Sequence, residues 1–337
     1  MKGAGGPGKM SSLSWPVAYL RMSRAEYLPA EIPGLLTIYF IGASLPSRIL
    51  APEVIEAVLV FVLLYFVGFI ANAYTDREID KRYTIFKNKI PEAVERVGDR
   101  NIIAIIVTQL ALAFALTAHI CIIMESLFPA ALVAVGTFFG VGYSIPPLHF
   151  KVRGWLHAVS LTLSAFLIPG LFVLFAIAGE IAPAPLTIVV GFSILHYGIA
   201  FANQAIDYLE DRAGGVMTPP VRWGMGRSLR VALVSIFAGI IVVFAGLYWH
   251  MQTRSGSISA LPGMTTPIFF ALMTPVVLLG YSIPVTGLWK MYRASATRPI
   301  EEATRYMKDI CRYNTWQASG IIGLMVATGA VFFAGLI

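Results

Sequence analysis

At 337 residues, 57% hydrophobic and 13% charged, with a mean hydropathy of +0.75, the chain is excluded from the class of ordinary water-soluble domains. Its net charge of +7 does not argue for nucleic acid, because the basic residues are spread over segments between apolar runs. Its two cysteines, Cys121 and Cys311, leave no Cys/His spacing for zinc or haem and argue against a disulfide.

Met1 to Ser14 are Gly- and Ser-rich, with Lys2 and Lys9 but no apolar stretch, and read as a disordered tail over 1–14 instead of a cleavable signal. Beyond it, runs able to cross a hydrocarbon core, at about 20 residues per helix, recur near 28–47, 53–75, 101–123, 127–143, 155–178, 185–209, 229–250, 264–284 and 314–336. The predicted fold class is an all-α polytopic membrane protein of nine transmembrane helices. Arg21 and Arg24 precede the first span, either as basic flanks or as phosphate contacts.

The second span ends in Asn72-x-x-x-Asp76-x-x-x-Asp80. On a helix each step of four residues turns the side chain by about 400°, so the amide and both carboxylates line one face. Glu78 falls off that face and reads first as solvent-directed, with proton acceptor or member of a metal shell as the other reading. Lys87 and Lys89 follow. The fourth span ends in Tyr143-Ser144-Ile145-Pro146-Pro147-Leu148-His149-Phe150-Lys151, where proline stops the helix and lets the tyrosine, serine and lysine approach a shared site. The sixth ends in Asn203-x-x-x-Asp207-x-x-x-Asp211, followed by Arg212; Glu210 reads like Glu78. The eighth ends in Tyr281-Ser282-Ile283-Pro284, a second copy of the loop that closes on Lys290. From Trp289 to Arg312, basic and aromatic residues mix in a way that suits an interfacial helix against anionic headgroups, the favoured reading, or a cap over a cavity.

Span, Asn/Asp motif, two spans, Tyr-Ser-Ile-Pro loop is the order in both halves. A duplicated four-helix unit, about 28–154 and about 155–290, plus a ninth helix near 314–336 is the simplest account, and repeat-built membrane proteins bind ligands where the repeats meet. With the N-terminus inside, every Lys and Arg except Arg48 and Arg254 falls on an inner segment, which places both acidic motifs on the cytoplasmic side. Carboxylates near a bilayer are costly and face a cavity, a partner or a cation. Clustered oxygen ligands suit Mg²⁺, so the expected task is to hold metal-bound phosphate at the membrane surface.

These residues resemble the UbiA superfamily of intramembrane prenyltransferases, which carries an Asn-Asp-x-x-Asp-x-x-x-Asp motif after the second helix, Asp-x-x-x-Asp after the sixth, and a Tyr-to-Lys loop after the fourth. The resemblance runs from Leu20 to the ninth span. It implies a single transmembrane domain over 15–337, nine helices around a central cavity, and two Mg²⁺ ions, replaceable by Mn²⁺, that hold an isoprenyl diphosphate. Carried over by position, Asn72, Asp76 and Asp80 serve one metal and Asn203, Asp207 and Asp211 the other. Tyr143, Ser144 and Lys151 then meet the diphosphate, with Arg24, Lys87 and Arg212 as further substrate contacts. The segment from Arg212 to Gly224, with Thr218 and Val221, is similar to the family's tail to the second motif. Ala73 departs from the family, standing where many members have an acid.

The implied reaction is Mg²⁺-dependent transfer of the isoprenyl group to a lipophilic acceptor through an allylic cation, with Asp76, Asp80, Asp207, Asp211 and Lys151 as its catalytic groups. Phe69, Tyr74, Tyr197, Phe201 and Tyr208 are candidate cation-facing aromatics. A membrane terpene cyclase using the same site without a separate acceptor is the alternative. A secondary transporter would place its acids near the midplane and not at helix ends. Membrane lipids are the expected surroundings, with no nucleic acid and no obligate protein partner.

Overall fold

The computed structural model describes residues 13–43, 46–81, 89–253 and 266–311, together with 324–325 and 328–329, and every regular element among them is helical. The chain opens with α1 (Trp15–Met22), turns through Arg24 in the left-handed region at φ 47, and enters α2 (Leu28–Gly42). The long α3 (Pro52–Asp80) carries the first motif to its last residue. The short amphipathic α4 (Ile90–Val97) packs on α1 and α3, and Gly98, at φ 81, turns the chain into α5 (Asp99–Ile123). Next come α6 (Phe128–Ser144) and α7 (Trp155–Thr162). One π-helical turn at Leu163–Leu167 joins α7 to α8 (Ile168–Ala178), so the stretch Leu156–Ala178 crosses as one rod. The remaining helices are α9 (Pro183–Ile206), α10 (Tyr208–Gly214), α11 (Pro219–Trp223), α12 (Met225–Thr253), α13 (Thr266–Thr297) and α14 (Ile300–Cys311). Proline opens α3, α4, α6, α8, α9 and α11, in the turn where its missing N–H has no partner to lose.

Among the described residues six helices are long and apolar enough to cross a membrane: Pro52–Asp80, Asp99–Ile123, Leu156–Ala178, Pro183–Ile206, Met225–Thr253 and Pro267–Thr297. Glu31–Gly42 and Phe128–Ser144 are apolar but shorter. These coincide with the first eight expected runs. The expected ninth span at 314–336, and nearly all of the expected tail at 1–14, lie outside the described residues. Large apolar side chains such as Val107, Ile122, Val234, Ile241 and Leu279 point outward, as a lipid-facing surface does.

The bundle is built around α9, the most deeply buried of the six spans. Gly191 and Gly198 of α9 meet α12 along a seam with Gly239 and Gly246. A Cβ on Gly198 would lie 2.7 Å from the Ala232 carbonyl oxygen, and one on Gly239 2.7 Å from the Leu195 nitrogen. Lipid tails are as apolar as leucine, so helices in a membrane associate through such close backbone approach.

Two expectations are corrected here. The second Tyr-Ser-Ile-Pro segment is not a loop: α13 runs 32 residues through Pro275 and Pro284, with Tyr281 buried in the core. After α6, by contrast, Ile145 is extended (φ −91, ψ 126) before the tandem prolines. Two successive prolines remove two backbone donors and push the preceding residue out of the helical region, whereas the lone Pro284 leaves the helix to continue on either side. The basic tract, secondly, does more than rest at an interface. Ala303, Thr304 and Met307 of α14 are fully buried, and the helix packs on α9, α10 and α13.

Candidate active site

The polar ends of α3 and α9 meet at the mouth of a cavity of about 640 Å³. Asn72, Asp80, Asn203 and Asp207 line it, together with Arg24, Tyr143, Gln204 and Lys308. Deeper in, the wall is mostly apolar, with Phe61 and Leu64 from α3, Leu132 and Gly136 from α6, and Ile168 and Phe172 from α8.

On α3 the helix is continuous through Asp80, as the spacing of the first motif requires. The loop after α6 is fastened to it at two points. The Asn72 amide donates to Ser144 Oγ at 3.0 Å, and the buried Lys151 ammonium donates to Asp76 Oδ1. His157 of α7 locks the loop from behind. Its Nδ1 lies 2.9 Å from the Lys151 carbonyl oxygen, which can only accept, so Nδ1 carries the hydrogen. Its Nε2 then accepts from the Tyr143 hydroxyl at 3.2 Å and from the Gln204 amide.

The second motif differs from its expected single helical face. α9 stops at Ile206, and Asp207, at φ −99 and ψ 10, is the junction with α10. Asn203 therefore belongs to one helix and Asp211 to the next. The Asp211 N–H still reaches the Asp207 carbonyl at 2.8 Å, and the Thr218 hydroxyl donates to Asp211 Oδ2 at 3.0 Å.

The two motifs act on each other electrostatically. Burial pushes the Asp207 carboxyl up to about 6, with Lys308 and Arg24 opposing and Glu210 and Asp80 adding to the rise. Burial, then the Asp207 charge, pushes Asp211 up to about 8, with smaller contributions from Glu210 and Asp76. Among the described residues no three Asp, Glu, His or Cys side chains close into a metal cage. Asp76, Asp80, Asp207, Asp211 and Glu210 nevertheless outnumber Lys151, Lys308 and Arg24. Hard oxygen donors with surplus negative charge are the set that a divalent ion such as Mg²⁺ neutralises, so these residues fit such an ion.

Other expected site residues fall elsewhere. Ser144 is fully buried and accepts from Asn72 behind the cavity wall. Arg212 is exposed and donates to the Tyr208 hydroxyl at 3.3 Å, with neither residue on the cavity wall. Lys87 lies outside the described residues. Of the five aromatics, Phe69 lines the cavity; Tyr74 lies beneath Arg77, and Phe201 is buried between Tyr197 and Trp223. Phe61, Tyr65, Tyr143 and Phe172 complete the aromatic wall. Glu78 is 66% exposed and pairs with Lys81. Glu210, expected to face solvent like Glu78, is instead 8% exposed and holds Lys308 at 2.5 Å. Ala73 packs against side chains of α1 and α4, so the acid this position lacks would point away from the cavity.

Sequence reasoning gave no site role to His157 or Gln204 and took Lys308 only as one member of the basic tract. Lys308 had one local signal, its place beside the apolar positions 303 and 307 of an amphipathic helix.

A family model described as the UbiA prenyltransferase family matches residues 32–308. Among solved structures, a UbiA homolog from Archaeoglobus fulgidus is similar at a TM-score of 0.59 and 15% identity, over 93% of this chain and 99% of that one. The same protein bound to DMAPP and Mg²⁺ gives 0.53 and 18%, over 88% and 99%. A digeranylgeranylglyceryl phosphate synthase gives 0.58 and 14%, over 93% and 100%. At these identities the likeness is one of fold. No curated protein matches the chain.

Proposed function

The chain belongs to the UbiA prenyltransferase family, and from that premise we propose that it transfers an isoprenyl group from an isoprenyl diphosphate to a lipophilic acceptor inside the membrane. It is an integral multi-pass membrane protein. The observation that carries the reading is the meeting of two acidic helix ends, one from each half of the chain, at the mouth of one apolar cavity, with Lys151 anchored on Asp76.

Asn72, Asp76 and Asp80 hold one Mg²⁺ in this reading, and Asn203, Asp207 and Asp211 a second. Mg²⁺ bound to DMAPP- and GPP-bearing homologs supports the choice of ion. Bound Mg²⁺ neutralises diphosphate charge, which makes diphosphate a competent leaving group. The protein's own cations add to this. Arg24 and Lys308 line the mouth, where charge develops as the carbon–oxygen bond breaks, and Lys151 stands behind them on Asp76. Tyr143, His157 and Gln204 keep the Lys151 loop in place. The apolar wall excludes the water that would quench an allylic cation, and Phe69 and Tyr65 are aromatic side chains of that wall placed to stabilise the cation.

The same reading takes the bundle as nine helices around the cavity in a single domain over 15–337, made of a duplicated four-helix unit and a ninth helix, with the N-terminus and both motifs cytoplasmic. It calls for no nucleic acid and no protein partner. The test incubates purified protein with labelled isoprenyl diphosphates of several lengths, Mg²⁺ and a membrane lipid extract, and identifies the product by mass spectrometry. Chelation should abolish turnover and Mn²⁺ restore it; full turnover in excess EDTA would sink the reading. A cyclised hydrocarbon formed without extract would instead make the protein a membrane terpene cyclase.

A further inference from the structure

One ionisable pair on the cavity wall has no part in holding diphosphate. Glu31, in the first turn of α2, places a carboxylate oxygen 2.9 Å from Nε2 of His196 on α9, and the two side chains are 17% and 8% exposed, both toward the cavity. His196 Nδ1 lies 2.9 Å from the Phe192 carbonyl oxygen; since a carbonyl only accepts, Nδ1 carries a hydrogen and Nε2 is the nitrogen turned to Glu31. The contact is one of charge: the Glu31 oxygen that faces the ring is buried and makes no hydrogen bond among the described residues, so its lone pair is unclaimed. The niche around them is built for the purpose. The Phe166 ring stacks on the imidazole at 4.4 Å and 16°, and Phe166 belongs to the π-helical turn of the α7–α8 rod. Gly34 makes room for that ring, because a Cβ there would stand 2.7 Å from it.

Packing does not explain the pair. Apolar side chains of the same size would hold α2 against α9 at least as well, and an ionisable group inside a membrane bundle is by default a place where protons, ions or substrates are handled. Its depth is also informative. His196 precedes Asn203 by two helical turns, about 10 Å, on the same face of α9. That interval accommodates the reacting carbon of a chain anchored at the mouth and one nucleophilic group beyond it. The other carboxylates of the cavity wall, Asp80 and Asp207, stand at the mouth with the diphosphate motifs.

Building on the prenyl-transfer reading above, we propose that Glu31, oriented by His196, is the proton acceptor for the second substrate, and that this substrate is a lipophilic molecule with an alcoholic or phenolic hydroxyl directed at Glu31. The acceptor oxygen forms a bond to C1 of the prenyl chain. The C1–oxygen bond to diphosphate breaks, and its electron pair leaves with the diphosphate. The hydroxyl proton passes to the Glu31 carboxylate, and the His196 imidazolium steadies that carboxylate until the transfer.

The experiment uses full-length protein in nanodiscs with labelled geranyl diphosphate, Mg²⁺ and, as hydroxyl probes, hexadecanol, naphthol and a membrane lipid extract. Glu31→Gln and Glu31→Ala should leave Mg²⁺-dependent binding of geranyl diphosphate within about twofold of wild type while lowering transfer about a hundredfold. Formate, small enough to occupy the vacated space, should recover about tenfold of the loss in Glu31→Ala and none in Glu31→Gln. His196→Gln should lower transfer less than either. Transfer retained in both Glu31 variants would overturn the proposal and leave the diphosphate itself as base. Loss without rescue by formate would also overturn it, making the pair structural. A wild type that prenylates none of the hydroxyl probes while binding geranyl diphosphate would refute the acceptor class. Absence of Mg²⁺-dependent binding in wild type would instead remove the transfer reading itself, and this inference with it.

Discussion

Lys151 and Lys290 occupy matching places in the two halves of the sequence, yet one is 6% exposed on Asp76 and the other is exposed on the unbroken helix α13. Lys151→Ala should therefore weaken binding of inorganic pyrophosphate and of prenyl diphosphates alike, by about 1.5–3 kcal/mol. Lys290→Ala should change it less than about twofold; calorimetric titration reads both, and the reverse order would move the functional loop to the other half. The acidic residues carry a second prediction. A carboxyl raised on folding, as Asp207 is to about 6 and Asp211 to about 8, holds its proton more tightly folded than unfolded. The metal-free protein should then lose stability as pH climbs from the ordinary carboxylate range toward about 8, and Mg²⁺ should cancel the loss. A Tm in EDTA that rises over that interval would contradict this. The Asn/Asp motifs and the Lys151 loop were legible because helical spacing and proline chemistry are local. Glu31, His196, Lys308 and His157 were not, because each takes its role from a side chain on a distant helix, and a lone histidine in an apolar run carries no mark of that.

At the level of elements, apolar runs located the described spans, but hydropathy is blind to whether a proline ends a helix or is carried through it. The helix break at Asp207 was hidden for the same reason: the i, i+4 spacing of Asn203, Asp207 and Asp211 is what an intact helix would also have. The glycine seam between α9 and α12 was equally silent, since glycines in greasy segments are common. It yields a clear test. Gly239→Ala brings a methyl within 2.7 Å of the Leu195 backbone nitrogen, which has no flexible end to move aside. Despite alanine's better helix propensity, the change should cost about 1–3 kcal/mol, read as a lower Tm in detergent. Gly68→Ala, inside α3, meets nothing within 4 Å and should hold or raise Tm.

For the whole molecule, the distribution of Lys and Arg predicts a sidedness that single-cysteine labelling can measure. In a background without Cys121 and Cys311, probes at Arg222 and Arg298 should react from the cytoplasmic side and probes at Glu125 and Glu180 from the opposite one. Accessibility of Arg222 and Glu180 from the same side would overturn the topology. The helices that frame the cavity also differ in reach. At 15 and 17 residues, α2 and α6 extend only about 22 and 25 Å, against a hydrocarbon core of about 30 Å. A bilayer beside them is expected to thin or the helices to draw in flanking residues, next to a cavity that α6 walls along much of its length. Longer-chain lipids steepen that mismatch, so turnover in nanodiscs should fall as lipid chain length grows; turnover independent of bilayer thickness would contradict this.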